Sequence, residues 1–542
     1  MTSIDSPTPQ AGTNWRSPVT LVLTALVLGI AVEVLFDGRP IGVSAVIWAG
    51  LCIACTLAMA AAERVRPSPD GLWLVPPIVF FAGMLALRVE PMTVTLDVVL
   101  VLALLALWVR TFRAGGLRRS GWLDLGLAVV WVPLESWIRP WPILGLATRQ
   151  AAGEKASRSR WLALVRGLLL ALPVVVVLAA LLAAADVVFS DYVREILRWL
   201  RIEKIVEYLG RATVVIVSGL FLLGAMAAAL REPGERKWIS EDKPLVAPFL
   251  GFTESAVVLG AVNLLFAAFV AVQFAYLFGG HANITAAGYT YAEYARRGFG
   301  ELVAVSVLTL ALILGLSAWG RRETPRQRAG FLGLSAALVV LVGVILASAL
   351  MRLLLYESAY GFTRLRTYTH VAILWMGVMF LVFLVLLLAG RVRAFAPAAL
   401  AGAIGFAATL NLMNVDGFIV QRNASRLAQT GIVDVYYLAS LSNDAIPSLV
   451  DVAAASPAAA REQLMGQLAC RLRQIEERDE AVGWPSYHRS HAAAGRALRA
   501  IGPELEAYPV TWLPWDEAYP DYGRWVVEAG GKQQDCITWV AD

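Results

Sequence analysis

The sequence is poor in charged residues, histidine and cysteine. Asp, Glu, Lys and Arg make up only 16% of its 542 residues, whereas soluble proteins carry about a quarter. Four histidines and four cysteines occur, and no hydrolase, metalloprotease or dinucleotide-binding motif is present. We therefore do not expect a soluble protein, and we expect neither a metal site nor a cofactor. We assign no catalytic residue and regard an enzyme as the less favoured class. A basic patch interleaved with aromatic residues is also missing, so we expect no nucleic-acid partner.

Long apolar runs take the place of charge. Apolar residues make up 58% of the chain, and runs of about twenty residues recur, the length that crosses a hydrocarbon core of about 30 Å. We expect about eleven transmembrane helices, near residues 18–36, 41–62, 71–89, 93–112, 161–188, 211–230, 255–279, 299–319, 329–354, 367–389 and 395–413. The composition thus predicts an all-α polytopic membrane protein embedded in a lipid bilayer.

Lysine and arginine collect in alternate links between these spans. They follow the second, fourth, sixth, eighth and tenth spans, a distribution that is typical of cytoplasmic loops. We therefore expect a cytoplasmic tail over 1–17, a transmembrane domain over 18–413, and a mostly helical extracytoplasmic domain over 414–542. The tryptophan-rich segment 121–145, which Pro133 interrupts, is either re-entrant or interfacial, or it spans the membrane. We favour a re-entrant or interfacial segment, because indole rings prefer the depth of the lipid headgroups. A spanning segment would reverse the orientation downstream.

Ionisable residues recur near the outer ends of the predicted spans. Three acids lie inside spans, and two polar stretches, "YAEYARRGFGEL" and "YGFTRLRTYTH", lie at span mouths. Because a charge facing lipid is costly, we expect one outward-facing polar cavity, in which arginine suits the phosphate or carboxylate of an anionic lipid or envelope headgroup. Alternatively, these charges reach the interface singly or lock adjacent helices together. The acids are Glu33, Asp97 and Asp186, and the outer-face residues are Glu293, Arg296, Arg297, Glu301, Arg364, Arg366 and His370.

Cys470 and Cys536 are the only cysteines after residue 413. An extracytoplasmic domain meets an oxidising compartment in many bacteria, so we expect a disulfide between them. Cys470 lies two residues from both Leu468 and Leu472 and therefore points away from the apolar stripe of its predicted helix. This direction leaves it free to meet the end of the chain. The alternative is two separate buried thiols.

Three polar stretches together carry a resemblance to a known family. They are "YAEYARRGFGELV", "YGFTRLRTYTHVAILW" and "DVYYLASLSNDAIPSL", in this order. Over about residues 160–450 the chain resembles the bacterial membrane family called domain of unknown function 4173, and a related family, numbered 4153, shares the general plan. The resemblance implies a multi-pass protein of the bacterial cytoplasmic (inner) membrane. It implies no activity, cofactor or site residue.

Three functions remain open on these features. We favour a non-enzymatic envelope sensor, regulator or assembly partner whose outer domain binds a protein partner, because a substantial polar domain follows the last span. A transporter or permease is the alternative, although neither a charged residue at mid-depth nor an inverted repeat indicates it. A membrane enzyme acting on a lipid-linked substrate ranks third, because the first outer loop, "DGRP", is short and holds only Asp37 as an acid.

Overall fold

Helices make up most of the structure. The computed structural model describes residues 15–151, 202–230, 248–277, 299–481, 483–515 and 523–537, together with single residues between 171 and 192. Up to residue 413, its α-helices are α1 (Pro18–Phe36), α2 (Val43–Ala62), α3 (Pro69–Leu72), α4 (Val75–Leu87), α5 (Pro91–Thr111), α6 (Trp122–Ile138), α7 (Pro140–Ala151), α8 (Ile202–Leu230), α9 (Phe252–Leu277), α10 (Phe299–Trp319), α11 (Pro325–Tyr360), α12 (Arg364–Leu388) and α13 (Phe395–Met413). Proline starts α1, α5 and α11, because its missing N–H is not needed in a first helical turn.

Ten spans in the described residues are long and apolar enough to cross a membrane. They comprise α1, α2, α3 with α4, α5, and α8 to α13, and they coincide with ten of the eleven predicted spans. The other predicted span, 161–188, lies mostly outside the described residues. Helix α11 is longer than a bilayer requires, since its 36 residues extend for about 54 Å. The predicted all-α polytopic membrane fold is confirmed.

Helix α6 continues through Pro133, so the predicted interruption at this proline was wrong. The ring of Trp122 at its start contacts that of Phe395 at the start of α13, with ring centroids 5.7 Å apart. Ser136, near its end, packs directly on Gly224 of α8. The 17 residues of α6 extend for about 25 Å, less than a hydrocarbon core of about 30 Å. This length favours a re-entrant or interfacial segment over a span.

The chain after Met413 adds a group of helices and a small sheet, which we call the C-terminal segment (residues 414–537). Its described α-helices are α14 (Val415–Thr430), α15 (Val435–Ala439), α16 (Ile446–Ala455), α17 (Ala458–Ala481), α18 (Arg489–Ala500) and α19 (Gly502–Leu505). The strands β1 (Val510–Pro514), β2 (Gly523–Ala529) and β3 (Lys532–Asp535) pair antiparallel in the order β1-β2-β3. Gly530 and Gly531, both with positive φ, form the turn between β2 and β3.

A shared apolar core joins the C-terminal segment to the membrane helices. Leu464, Leu468 and Ile475 of α17 belong to one buried cluster with Val371 of α12 and Leu410 of α13. Burying apolar surface stabilises a structure by about 25 cal/mol per Å². The segment is therefore packed on the bundle and does not hang from it by a linker.

The loops between the membrane helices form two opposite faces. The C-terminal face carries the loops 37–42, 88–90 and 361–363 and the C-terminal segment. Within it, the N–H of Val43 donates to the carbonyl of Tyr487 over 3.1 Å. The arginine face carries the links after α2, α5, α10 and α12, and these four links together hold nine arginines.

The chain changes face between α5 and α8. Arg113, just after α5, donates to the carbonyl of Leu230 at the end of α8 over 2.9 Å, on the arginine face. At the other end of α8, Arg211 lies 3.3 Å from the carboxylate of Glu33, near the end of α1 on the C-terminal face. The chain therefore passes from one face to the other an odd number of times between α5 and α8.

Candidate functional site

An ion pair with a buried carboxylate connects α12 with α14. Asp416 lies in the first turn of α14, which begins just after the last span ends and is capped by Asn414. Asp416 is fully buried. Arg364, the first residue of α12, donates through Nε and a terminal nitrogen to the two carboxylate oxygens of Asp416, the first over 2.8 Å. The backbone N–H of Ser442 donates to the same carboxylate over 2.7 Å. This forked geometry is the strongest form of an arginine–carboxylate contact.

Glu90 extends the pair to α5. It is the N-cap of α5, where its carboxylate accepts from the N–H groups of Met92 and Thr93 over 3.1 and 2.8 Å. The hydroxyl of Tyr368 on α12 donates to the same carboxylate. Arg364 Nε lies 3.7 Å from it. Glu90 therefore caps the start of α5 and also connects this helix to α12.

Asp444 connects the C-terminal segment to the loop before α5. Its carboxylate accepts from the N–H groups of Val89 and Glu90 over 3.0 Å each, and from the hydroxyl of Ser490. Arg88 lies 3.8 Å away. Burial raises the pKa of Asp444, while the hydrogen bonds from Ser490 and Val89 and the charge of Arg88 act in the opposite direction. We call the six residues Arg88, Glu90, Arg364, Tyr368, Asp416 and Asp444 the junction network.

Asp97 lies deeper in the bundle and is fully buried. The side-chain amide of Asn411 on α13 donates to one of its carboxylate oxygens over 2.7 Å. Among the described residues, the other carboxylate oxygen has no hydrogen-bond partner. The predicted intramembrane acid thus pairs with an amide, and this contact ties α5 to α13.

A buried arginine lies within the C-terminal segment. Arg471 of α17 donates to the carbonyls of Ala439 and Leu441 over 2.9 and 3.1 Å, and to the side-chain oxygen of Asn443. Burial lowers the pKa of Arg471 to about 10. These bonds fix the link between α15 and α16, which also carries Asp444.

The remaining outer-face residues contact other elements. Arg366 donates to the carbonyl of Gly361, and its guanidinium lies 4.0 Å from the ring centre of Tyr356. His370 lies 3.4 Å from the buried carboxylate of Glu357 on α11. Arg364 therefore faces the C-terminal segment, whereas Arg366 and His370 face the end of α11. These contacts do not bring the three residues together in the shared cavity that we expected.

The other predicted acids do not meet the junction network in the described part of the chain. Glu33 pairs with Arg211, and the carboxylate of Asp186 accepts from the N–H of Phe189 over 2.8 Å. Glu301 is exposed in the first turn of α10. The predicted residues Glu293, Arg296 and Arg297 lie outside the described residues, so their meeting with Arg364 and Arg366 stays a prediction.

Cys470 and Cys536 are joined by a disulfide, with their Cα atoms 5.6 Å apart. Both residues are buried beside Val527 of β2. The bond closes a loop of 66 residues and pins the chain after β3 to α17. The disulfide thus holds the sheet against α17. Gly466 of α17 contacts Ala529 of β2 and contributes to the same packing.

The chemistry of the junction network is that of a connector. Asp416 and Asp444 each accept three hydrogen bonds, so little of either carboxylate is left for a substrate. No group of three metal-ligating side chains occurs among the described residues. Sequence reasoning missed Glu90, Asp416 and Asp444. The stretches "EPM" and "NVDG", an acid before proline and an Asn cap, marked two of them as residues of helix starts.

The fold and the site together define a multi-pass, all-α integral membrane protein with a polar segment docked on one face. The chain belongs to the family described as Domain of unknown function (DUF4153), which matches residues 75–452. The resemblance to the related family numbered 4153 is confirmed, whereas that to family 4173 is not. No curated protein and no solved structure matches the chain. The matched range includes all six residues of the junction network and ends before α17.

Proposed function

We propose that this protein is a non-enzymatic regulator of the bacterial cytoplasmic (inner) membrane. In this proposal the N-terminus lies inside, the C-terminal segment lies outside and binds a protein partner, and the junction network couples that segment to the membrane helices. The finer claims, on orientation and partner, rest on the arginine distribution and on the packing of the segment.

The observation that carries the proposal is the use of charge at the junction. Arg364, Asp416, Glu90 and Asp444 are bonded to one another or to backbone, across α5, α12, α14 and the link before α16. A transport path needs polar groups open to a solute, and a catalytic site needs groups that touch a substrate. Buried charges that are paired with each other specify how two parts of a protein fit together.

A deletion strain separates the three candidate functions. A regulator predicts an altered envelope-stress transcript profile with unchanged uptake of solutes and unchanged envelope lipids. Loss of uptake of one solute class supports a transporter, and accumulation of a lipid-linked precursor supports an enzyme. Either of these two results contradicts the proposal.

The coupling is tested by complementing the deletion with single-atom variants. Tyr368→Phe removes only the hydroxyl that donates to Glu90. Tyr356→Phe removes a hydroxyl that has no hydrogen-bond partner among the described residues, and serves as the matched control. We expect the first variant to reach the membrane in normal amount and to lose most of the regulatory response. Equal responses of both variants would count against coupling through this junction.

A further inference from the structure

A basic cleft opens on the arginine face between the ends of α10, α11 and α12. Its volume is about 1010 Å³, and none of the described residues that line it is acidic. Six arginines line it: Arg118, Arg119, Arg322, Arg328, Arg391 and Arg393. We call it the arginine cleft. Like charges this close repel one another, and an anion shared among them removes the repulsion.

Two arginines of the cleft form no ion pair within the described residues. Arg391 and Arg393 follow the end of α12 and are exposed. In the part of the chain that the structure describes, neither side chain has a carboxylate within ion-pair distance. These two guanidinium groups are therefore available to a ligand.

A third arginine forms a fixed wall. The guanidinium of Arg322 lies 3.8 Å from the ring centre of Phe331, and it donates to the carbonyls of Leu316 and Ser317 over 2.9 and 2.7 Å. Burial lowers the pKa of Arg322, and the nearby charge of Arg328 lowers it further. The positive charge in the cleft is thus crowded and partly held in place before any ligand arrives.

The floor of the cleft is apolar. Phe331 and Leu332 lie within the first two turns of α11, and Leu387 and Leu388 end α12. Leu388 is 58% exposed. Because α12 is a membrane span that stops at this residue, the floor lies at the depth where the helices leave the hydrocarbon. The cleft therefore offers arginines at headgroup level and leucines at acyl-chain level.

We propose that the arginine cleft binds an anionic phospholipid, with its phosphate among Arg322, Arg391 and Arg393 and its acyl chains along Leu332 and Leu388. Arginine pairs with phosphate through forked hydrogen bonds, and basic pockets between membrane helices suit anionic headgroups. Free phosphate would contact only the arginines and would leave the apolar floor of the cleft uncovered. This site is independent of the regulatory role proposed above, because it lies on the opposite face from the junction network.

The purified full chain in a non-ionic detergent allows a direct test. The probes are dioleoyl phosphatidylglycerol, dioleoyl phosphatidylcholine with the same acyl chains, and inorganic phosphate, and binding is measured by native mass spectrometry. We expect phosphatidylglycerol to be retained, phosphatidylcholine to be lost, and phosphate not to displace the bound lipid. The variant Arg391→Gln/Arg393→Gln should bind phosphatidylglycerol about 25-fold more weakly, since each surface arginine contributes roughly fivefold.

The matched control removes the same charge from the same face outside the cleft. Arg64 and Arg66 are exposed in the link after α2, and Arg64→Gln/Arg66→Gln should leave lipid binding unchanged. Arg391→Lys/Arg393→Lys keeps the charge and should retain part of the binding, which separates loss of the site from loss of the fold. Equal weakening by both glutamine pairs, equal retention of both lipids, or displacement of the lipid by phosphate would overturn the proposal.

Discussion

Arg364 donates two parallel hydrogen bonds to Asp416 across the boundary between a membrane span and the C-terminal segment. The two residues are 52 positions apart in the sequence, and the hydroxyl of Tyr437 accepts from the backbone N–H of Arg364 at the same point. Asp416 is fully buried, so its charge depends on this partner. The pair decides how the first helix after the last span is oriented on the bundle.

Removing the arginine should therefore destabilise the docked segment. Arg364→Ala leaves the Asp416 carboxylate buried without its partner, which costs about 3 kcal/mol. We expect a lower midpoint of thermal unfolding in detergent. Arg422→Ala, which removes an exposed arginine from α14, is the control and should change the midpoint little. A variant as stable as the control would show that the pair does not hold the segment.

The disulfide should contribute to stability through the length of the loop that it closes. In the chain-entropy model a loop of 66 residues corresponds to about 4 kcal/mol. Cys470→Ser should lower the unfolding free energy of the C-terminal segment, and Cys470→Ser/Cys536→Ser should be no worse than the single variant. Peptide mapping under non-reducing conditions should recover Cys470 and Cys536 in one linked species. Recovery of two free thiols from the native protein would contradict the bond.

Reporter fusions test the orientation. A fusion after Arg393, on the arginine face, should report the cytoplasm, and a fusion after Asp542 should report the outside. The physical reason is that basic loops are retained on the cytoplasmic side during insertion. The opposite pair of results would reverse the proposed topology and place the C-terminal segment in the cytoplasm.

His488 should make the contact between the C-terminal segment and the loop 37–42 sensitive to acid. Burial, together with the charges of Arg478 and His491, lowers the pKa of His488 to about 4, although a hydrogen bond with the backbone of Ile41 acts in the opposite direction. In the unfolded chain the pKa is about 6.5, so the unfolded state binds more protons between these values. The unfolding free energy should therefore fall as the pH falls from about 6.5 towards 4, by about 3 kcal/mol in total.

The variant His488→Gln isolates this effect. It keeps a side-chain donor but cannot take up a proton, so its unfolding free energy should depend less on pH over the same window. Thermal unfolding of both proteins at about pH 7 and pH 5 provides the comparison. Parallel changes of the two proteins would show that other groups set the pH dependence.

Cross-linking tests the predicted meeting of the two polar stretches. In a background without Cys52 and Cys55, we expect Arg297→Cys to cross-link with Arg366→Cys, because both are predicted at the same outer mouth. The pair Arg297→Cys with Arg393→Cys should not react, since Arg393 lies on the arginine face. A reaction of the second pair alone would remove the predicted outer site.

The sequence by itself determined where the chain crosses the membrane. A hydrocarbon core demands about twenty apolar residues and an internally bonded backbone, and both requirements act on neighbouring residues, so they are visible in local composition. Ten predicted spans therefore coincide with helices of the structure. The alternation of basic links follows from the same local rule, and the two faces of the bundle separate these links from the C-terminal segment.

The tertiary structure alone decided which polar groups meet. The backbone N–H of Val89 donates to Asp444, which lies 355 positions away in the sequence. The side-chain amide of Asn411 donates to Asp97, which lies 314 positions away. No periodicity within one helix reveals such a pairing, because the partners are chosen by the packing of separate helices. Helix α6 continues through Pro133 for a related reason, since its contacts with α8 and α13 stabilise it more than one missing hydrogen bond costs.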